Sequence, residues 1–209
     1  MEHELIEKLA QRLKQPLPGS SSHQKMKPVI PSGFRFRTPP EENARKGAVL
    51  IMLYKKNGQW FFPLIQRPLY EGIHSGQVAL PGGRKEEQDV DIIATALRES
   101  QEEIGLGQNG VTVLGCLSDF FVAVSNYMVT PVIGYYQKNP VFEPDDREVA
   151  EVIEAPLNQL LDIGLLKEKE ITASSGYKLH SPYFEIENKV VWGATAMMLS
   201  ELVDVIREL

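Results

Sequence analysis

Cysteine is almost missing from this chain: Cys116 stands alone among 209 residues, so no internal disulfide can staple the fold. Its apolar neighbours point to a small buried side chain rather than a nucleophile. Histidine is scarce as well, and His3, His23, His74 and His180 show no zinc-ligand spacing. No apolar run is long enough to span a membrane, and the stretch MEHELIEKLAQRLKQ is too charged for a secretory signal, so a cytoplasmic protein without membrane contact is expected. No basic stripe offsets the net charge of −6, which argues against a nucleic-acid binder. The remaining composition, 43% hydrophobic and 24% charged, suits a soluble globular domain with a substantial core.

Against that ordinary background, residues 81–106, PGGRKEEQDVDIIATALRESQEEIGL, stand out. A glycine turn feeds a helix expected from about Val90 to Ile104, with Ile93, Leu97, Ser100 and Ile104 spaced as a core-facing stripe. At roughly 100° per residue, Glu99, Glu102 and Glu103 share an arc about 100° wide on another side, where three carboxylates can reach one site. Like charges at i and i+4, as at Glu99 and Glu103, cost an isolated helix roughly 0.2–0.5 kcal/mol. A hard cation would offset that repulsion. Taken alone, a run such as Gln101-Glu102-Glu103 reads more simply as a solvated acidic face. The context shifts the balance: Pro81, Gly82 and Gly83 give a permissive turn, Arg98 lies beside the carboxylates, and Gly105 ends the helix.

This segment resembles the box of the Nudix hydrolases: Gly, five residues, Glu, seven residues, Arg-Glu, an aliphatic, any residue, Glu-Glu, any residue, Gly, an aliphatic. Arg98 to Leu106 fit its second half except at Ser100. In the first half, five residues after Gly83 lead to Asp89, and eight rather than seven then separate it from Arg98, so one insertion and an Asp-for-Glu exchange are needed. The partner of Arg98 is left open among Glu87, Asp89 and Asp91. Within that family, Leu64-Ile65-Gln66-Arg67 followed by Gly76 to Gly83 is similar to the extra motif of the coenzyme A pyrophosphatase branch. Pro68 and Gly72 stand where the branch carries a small residue and a second arginine. Segments at 127–134, 147–157 and 191–196 also resemble that branch, so the likeness runs from about Gly47 to the C-terminus.

The resemblance implies an α/β/α sandwich with a mixed sheet over residues 47–209, behind an N-terminal helix and arm over 1–46. It implies that Glu99, Glu102 and Glu103, helped by the Gly83 carbonyl, hold Mg²⁺ or Mn²⁺ against a substrate diphosphate and prepare a water for in-line attack on phosphorus. The proton acceptor is either a box glutamate such as Glu102 or a loop carboxylate; Glu148 is the loop candidate and Glu151 its alternative. Arg67 and Arg84 are candidates for phosphate contacts. Arg98 is expected to orient carboxylates. Tyr127 and Phe121 could stack on an adenine, although aromatics in strands are more often core, and His74 could meet substrate or be a loop residue without a role.

The expected activity is hydrolysis of coenzyme A or acyl-coenzyme A to 3′,5′-ADP and a 4′-phosphopantetheine product. The alternatives are another small nucleoside diphosphate derivative (ADP-ribose, a dinucleotide, a nucleoside triphosphate) and a non-catalytic nucleotide-binding module. Intact glutamates speak against the module.

Along the chain, Leu5, Ile6, Leu9 and Leu13 predict a short amphipathic helix over residues 4–14. Residues 15–46, rich in Pro, Ser and basic side chains, read as a connecting arm that either lies over the domain or is partly mobile, with Phe34 to Arg37 alternating as an extended piece. Asn57-Gly58 between β-rich runs 48–54 and 60–66 predicts a hairpin. Further strands are expected near 77–80, 111–118, 127–136 and 183–192. A last helix over 194–207 should place Ala194, Met197, Met198, Leu202 and Ile206 on one side. The terminal helices could join a homodimer interface or pack within the chain.

Overall fold

The computed structural model describes residues 2–29, 43–72, 74–172, 176 and 178–209. Two helices, α1 (Glu2–Arg12) and α2 (Ser20–His23), precede strands β1 (Arg45–Lys56), β2 (Gln59–Gln66), β3 (Val78–Ala79) and β4 (Gly82–Arg84). Helix α3 (Ile92–Ile104) leads to β5 (Val111–Cys116), β6 (Phe120–Val122), β7 (Tyr127–Tyr136) and β8 (Glu151–Pro156). The chain ends with α4 (Leu157–Leu161), β9 (Leu166–Thr172), β10 (Lys178–Ile186), β11 (Lys189–Trp192) and α5 (Gly193–Arg207).

Asn57 and Gly58 both take positive φ, 50° and 81°, and Lys56 pairs with Gln59 across them, giving the two-residue hairpin expected from Asn-Gly. Beyond that tight end β1 and β2 part, and the segment from Val78 to Arg84 fills the gap: β3 pairs with Ile65 and Gln66 of β2, while β4 pairs with Gly47 to Val49 of β1. On its other side β1 runs parallel to β7 from Arg45↔Tyr127 to Tyr54↔Tyr136. Strand β8 lies antiparallel to β2, and β5 and β6 lie antiparallel to β7, completing an eight-stranded mixed sheet.

The central strand is buried on both faces. Ala48, Leu50, Met52 and Tyr54 share one cluster with Ala96 and Ile104 of α3. Ile51 and Leu53 share the other with Ile6, Leu9 and Leu13 at α1, and with Ala196, Leu199 and Leu202 of α5. Period-two alternation therefore sends successive β1 residues into two separate cores, which is the α/β/α sandwich. Truncating a fully buried Leu53 to alanine should cost about 2–5 kcal/mol.

Three expectations need correction. The helix α5 is buried nearly all round: Ala196, Leu199, Val203 and even Glu201 lie deeper than Ala194, Met197 and Ile206, which are only partly covered. The single strand expected over 183–192 is a hairpin, because Glu187 and Asn188 turn the chain at φ 50° and 59°. The first half of the arm follows the reading that lays it over the domain: α2 and a 3₁₀ turn at Gln24–Met26 bury Ser22, His23 and Met26. The third correction is Cys116, which is half-buried rather than buried, with burial raising its thiol pKa. Phe34 to Arg37 lie outside the described residues.

Candidate active site

Helix α3 starts and stops on local chemistry. Asp91 caps it, accepting the Ala94 N–H at 2.7 Å, and Gly105 closes it in the left-handed region at φ 70°. Its deepest face is Ala96, Ser100 and Ile104, all fully buried, while Ile93 and Leu97 of the expected stripe are only partly covered. Ser100 fits where the box carries an aliphatic because its hydroxyl donates to the Ala96 carbonyl one turn back at 2.7 Å. This rotation of the core face puts the three glutamates at different depths. Glu103 is 1% exposed, the Glu99 side chain is largely covered, and the Glu102 side chain is 56% exposed.

Glu103 accepts the Gly82 N–H at 2.7 Å, and Arg67 stands 3.6 Å from its other oxygen. Burial pushes its pKa up to about 7, with Glu99 and Glu148 adding to the rise and Arg67 and Gly82 opposing it. Burial also raises the Glu99 carboxyl, opposed by Arg98 and reinforced by Glu102 and Glu148.

Arg98 is the hub that keeps these charges together. It grips both oxygens of Asp89 at 2.9 and 3.0 Å, Glu99 and Glu102 at 2.9 Å each, and the Arg84 carbonyl at 2.9 Å. The partner left open in the sequence is thus Asp89. That side chain is 6% exposed and also accepts the Glu86 N–H and the Thr95 hydroxyl, and with Arg98 these bonds hold it far below the usual carboxylate range. Asp91 is occupied as the helix cap.

Glycine is required where β4 meets β1. A Cβ on Gly82, at φ 148°, would fall 2.2 Å from the Ala48 carbonyl, and one on Gly47 would fall 2.6 Å from the Gly83 carbonyl, while at Gly83 it would meet only the movable end of the Glu99 side chain. From the other side, the loop before β8 docks on the helix end, with Glu143 and Asp145 donating backbone N–H groups to the carbonyls of Ile104 and Glu103. Val149, 1% exposed, anchors that loop, and its neighbour Glu148 lies near enough to raise both Glu99 and Glu103. Glu151 points elsewhere, to Lys189 at 2.6 Å.

The fold thus gathers Glu99, Glu103, Gly83, Arg67, Arg98 and Glu148, with Glu102 at the exposed margin. Among the described residues no three His, Cys, Asp or Glu side chains stand posed around one ion, since Arg98 holds Glu99 and Glu102 while Gly82 and Arg67 hold Glu103. The donor set contains only oxygen, which suits a hard divalent cation. Arg84 is exposed, and it is its carbonyl that ties it to the cluster. Tyr127 lies beneath the Arg45 guanidinium at 4.3 Å, a contact that sequence reading missed because it depends on the parallel β1/β7 register. Phe121 is half-buried opposite Met128, and the His74 ring sits 2.9 Å from the Gln77 side-chain oxygen.

A family model described as the NUDIX domain matches residues 44–175. The chain belongs to the Nudix family. The "uncharacterized Nudix hydrolase NudL" of Salmonella paratyphi B and that of Salmonella newport are each 35% identical over 161 residues, 77% of this chain and 82% of theirs. A Nudix hydrolase from M. smegmatis, RenU, shares the fold at a TM-score of 0.57 and 19% identity, over 79% of this chain and 88% of that one. The protein is a Nudix pyrophosphohydrolase, and Nudix hydrolases act with divalent metal ions. No described helix is long and apolar enough to cross a membrane.

Proposed function

We propose that this Nudix enzyme hydrolyses the diphosphate of coenzyme A or acyl-coenzyme A, releasing 3′,5′-ADP and a 4′-phosphopantetheine product. One observation carries this reading. The stretch that resembles the coenzyme A branch, Leu64 to Arg67 and Gly76 to Gly83, lies on β2 and the β3–β4 wedge, the same pieces that bring Arg67 and Gly82 to Glu103.

Mg²⁺ or Mn²⁺ would be held by Glu99, Glu102 and Glu103 with the Gly83 carbonyl, and burial beside other carboxylates makes Glu99 and Glu103 costly to ionise without such a cation. The ion would neutralise diphosphate oxygens and lower the pKa of the attacking water. Arg98, fixed by Asp89, orients Glu99 and Glu102. Arg67, one strand from the cluster, binds a phosphate oxygen, and Arg84 adds a second cationic contact. Glu148 accepts the water's proton as the water oxygen bonds to phosphorus and the bond to the leaving phosphate breaks. Its loop is docked on the end of α3, whereas Glu151 is committed to Lys189. Tyr127, held by Arg45, offers a ring face to the base.

Pro68 and Gly72 favour a second reading, in which the substrate is ADP-ribose, a dinucleotide or a nucleoside triphosphate. Mass spectrometry of products from a panel of these compounds with Mg²⁺ or Mn²⁺ decides between the two: 3′,5′-ADP from coenzyme A alone supports the first, and turnover of another compound alone discards it. Glu148→Gln should lower kcat by about 10²–10⁴-fold with little change in metal affinity. An unchanged kcat would remove Glu148 as the base.

A further inference from the structure

A cavity of about 760 Å³ lies between the β2–β3 loop and the three-stranded sheet of β9, β10 and β11. That volume is within the usual range for a small-molecule site. None of the acidic residues of α3 lines it, yet it begins one residue from them: Gln66 is part of its wall, and the next residue, Arg67, reaches Glu103. The far wall is tied to the main sheet through Lys189, which donates to Glu151 of β8 at 2.6 Å.

The wall formed by the loop is built in advance. Gly76 donates its N–H to the Pro68 carbonyl at 3.1 Å, Gln77 to the His74 carbonyl at 3.2 Å, and Tyr70 to the Ser75 hydroxyl at 2.9 Å. The Gln66 amide also donates to the Gly76 carbonyl. Gly76 has φ 65°, a left-handed backbone that favours glycine in this closed loop.

The charges in the cavity cancel. Lys169 and Lys189 share it with Glu71 and Glu170; Lys189 is bound to Glu151, and Lys169 lies over the Tyr183 ring at 5.1 Å. A phosphate would meet no net positive field there. What remains is neutral hydrogen-bonding capacity from Asn188, Thr172, the Gln66 oxygen and the Gln77 amide N–H groups, set among Val78, Val190 and Trp192. Side-chain amides beside short apolar surfaces match a chain of amide groups joined by alkyl spacers.

We infer that this cavity takes the uncharged, amide-bearing limb of the substrate, which for coenzyme A is its pantetheine arm, while the diphosphate lies at Arg67 and the glutamates. The name of that limb rests on the coenzyme A reading; the preference for neutral amides rests on the cavity itself.

Pantetheine, which carries no phosphate, is titrated into the full-length protein without metal while backbone amide signals are followed. Saturable shifts at Gln77, Lys169 and Asn188 are expected, weakened at least about tenfold by Val190→Trp, which fills the cavity. Thr172→Trp, at the exposed rim, is the second blocking variant should Val190→Trp fail to fold. In either variant KM for coenzyme A should rise about tenfold while kcat stays within about twofold. No shifts, equal shifts in wild type and variants, or shifts confined to Tyr127 would overturn the inference. Binding of pantetheine without cleavage of coenzyme A leaves the cavity standing and removes the proposed substrate. Cleavage without pantetheine binding does the reverse.

Discussion

Glu103 and Glu201 are the same residue type, exposed to 1% and 0%, yet their acidities move in opposite directions. Glu201, on α5, meets four donors: Gly19 N–H at 2.9 Å, the Ser118 hydroxyl at 2.6 Å, the His23 ring at 3.0 Å and Ser118 N–H at 3.2 Å. Burial still opposes its charge, but these bonds outweigh it and hold the pKa below the usual value. Glu103 has one N–H donor, an arginine at 3.6 Å beyond hydrogen-bond reach, and two carboxylates nearby, so burial wins and its pKa rises to about 7. A saturated carboxylate locks structure; an undersaturated one keeps coordination capacity in reserve, as functional sites do. The contrast predicts which of the two can be replaced without loss of turnover.

The largest effect should be on catalysis. Glu103→Gln keeps an acceptor for the Gly82 N–H and should lower kcat on the order of 10³-fold, or about 4 kcal/mol in barrier. Glu201→Gln, made in parallel, should leave kcat within about twofold, and an equal loss in both would erase the distinction. Next comes folding. Glu201→Ala strands its donors in the interior and should cost about 3 kcal/mol, lowering Tm by roughly 6–12 °C, as calorimetry would show.

The third effect is on pH dependence. Glu103 has a folded pKa of about 7, above its ordinary 4.5, so the native state binds the extra proton between those values. Its contribution is fully present below about pH 4.5 and is lost as pH rises through about 7, a loss on the order of 3 kcal/mol by pH 8 in metal-free protein. Glu103→Gln should remove that alkaline decline, and Mg²⁺ or Mn²⁺ should raise the wild-type Tm more at pH 8 than at pH 6, because a carboxylate ligand must be deprotonated. Glu201 has the opposite sign: its lowered pKa gives stability above the ordinary 4.5 that disappears as pH falls through the folded value. Chemical denaturation across pH separates the two limbs.

These two carboxylates also mark what the sequence could and could not reveal. Helix α3 was legible because its period and its Gly105 stop are local and the box fixed its register, whereas Asp91, weighed only as a partner for Arg98, is its cap. The depth of Glu103 was not, since it depends on β4 and on the loop before β8 closing over the helix. Nothing near Glu201 marks it as buried, because its partners Gly19 and His23 lie 182 and 178 residues away. For the same reason residues 19–26 read only as an arm, either laid over the domain or partly mobile. Strand β9, LKEKEIT, was missed because it is exposed on both faces and shows no apolar alternation.

The smallest effect lies at the margin of the Glu201 cluster. One turn along α5, Asp204 accepts from Lys25 at 2.6 and 2.7 Å and from the Ser22 hydroxyl. These bonds lower its pKa against the opposing effect of burial, as for Glu201. The lysine is 55% exposed, however, so its pairing gives back side-chain entropy and is screened by water and salt. Lys25→Ala should therefore cost no more than about 1 kcal/mol at pH 7, and the difference should vanish in about 1 M salt. Glu201→Ala should keep its full cost there, because its donors are enclosed and counterions cannot replace the carboxylate. If salt erased both effects equally, the joint between the N-terminal segment and α5 would be a surface ion pair network, and the enclosed hydrogen bonds of Glu201 would not be what holds it.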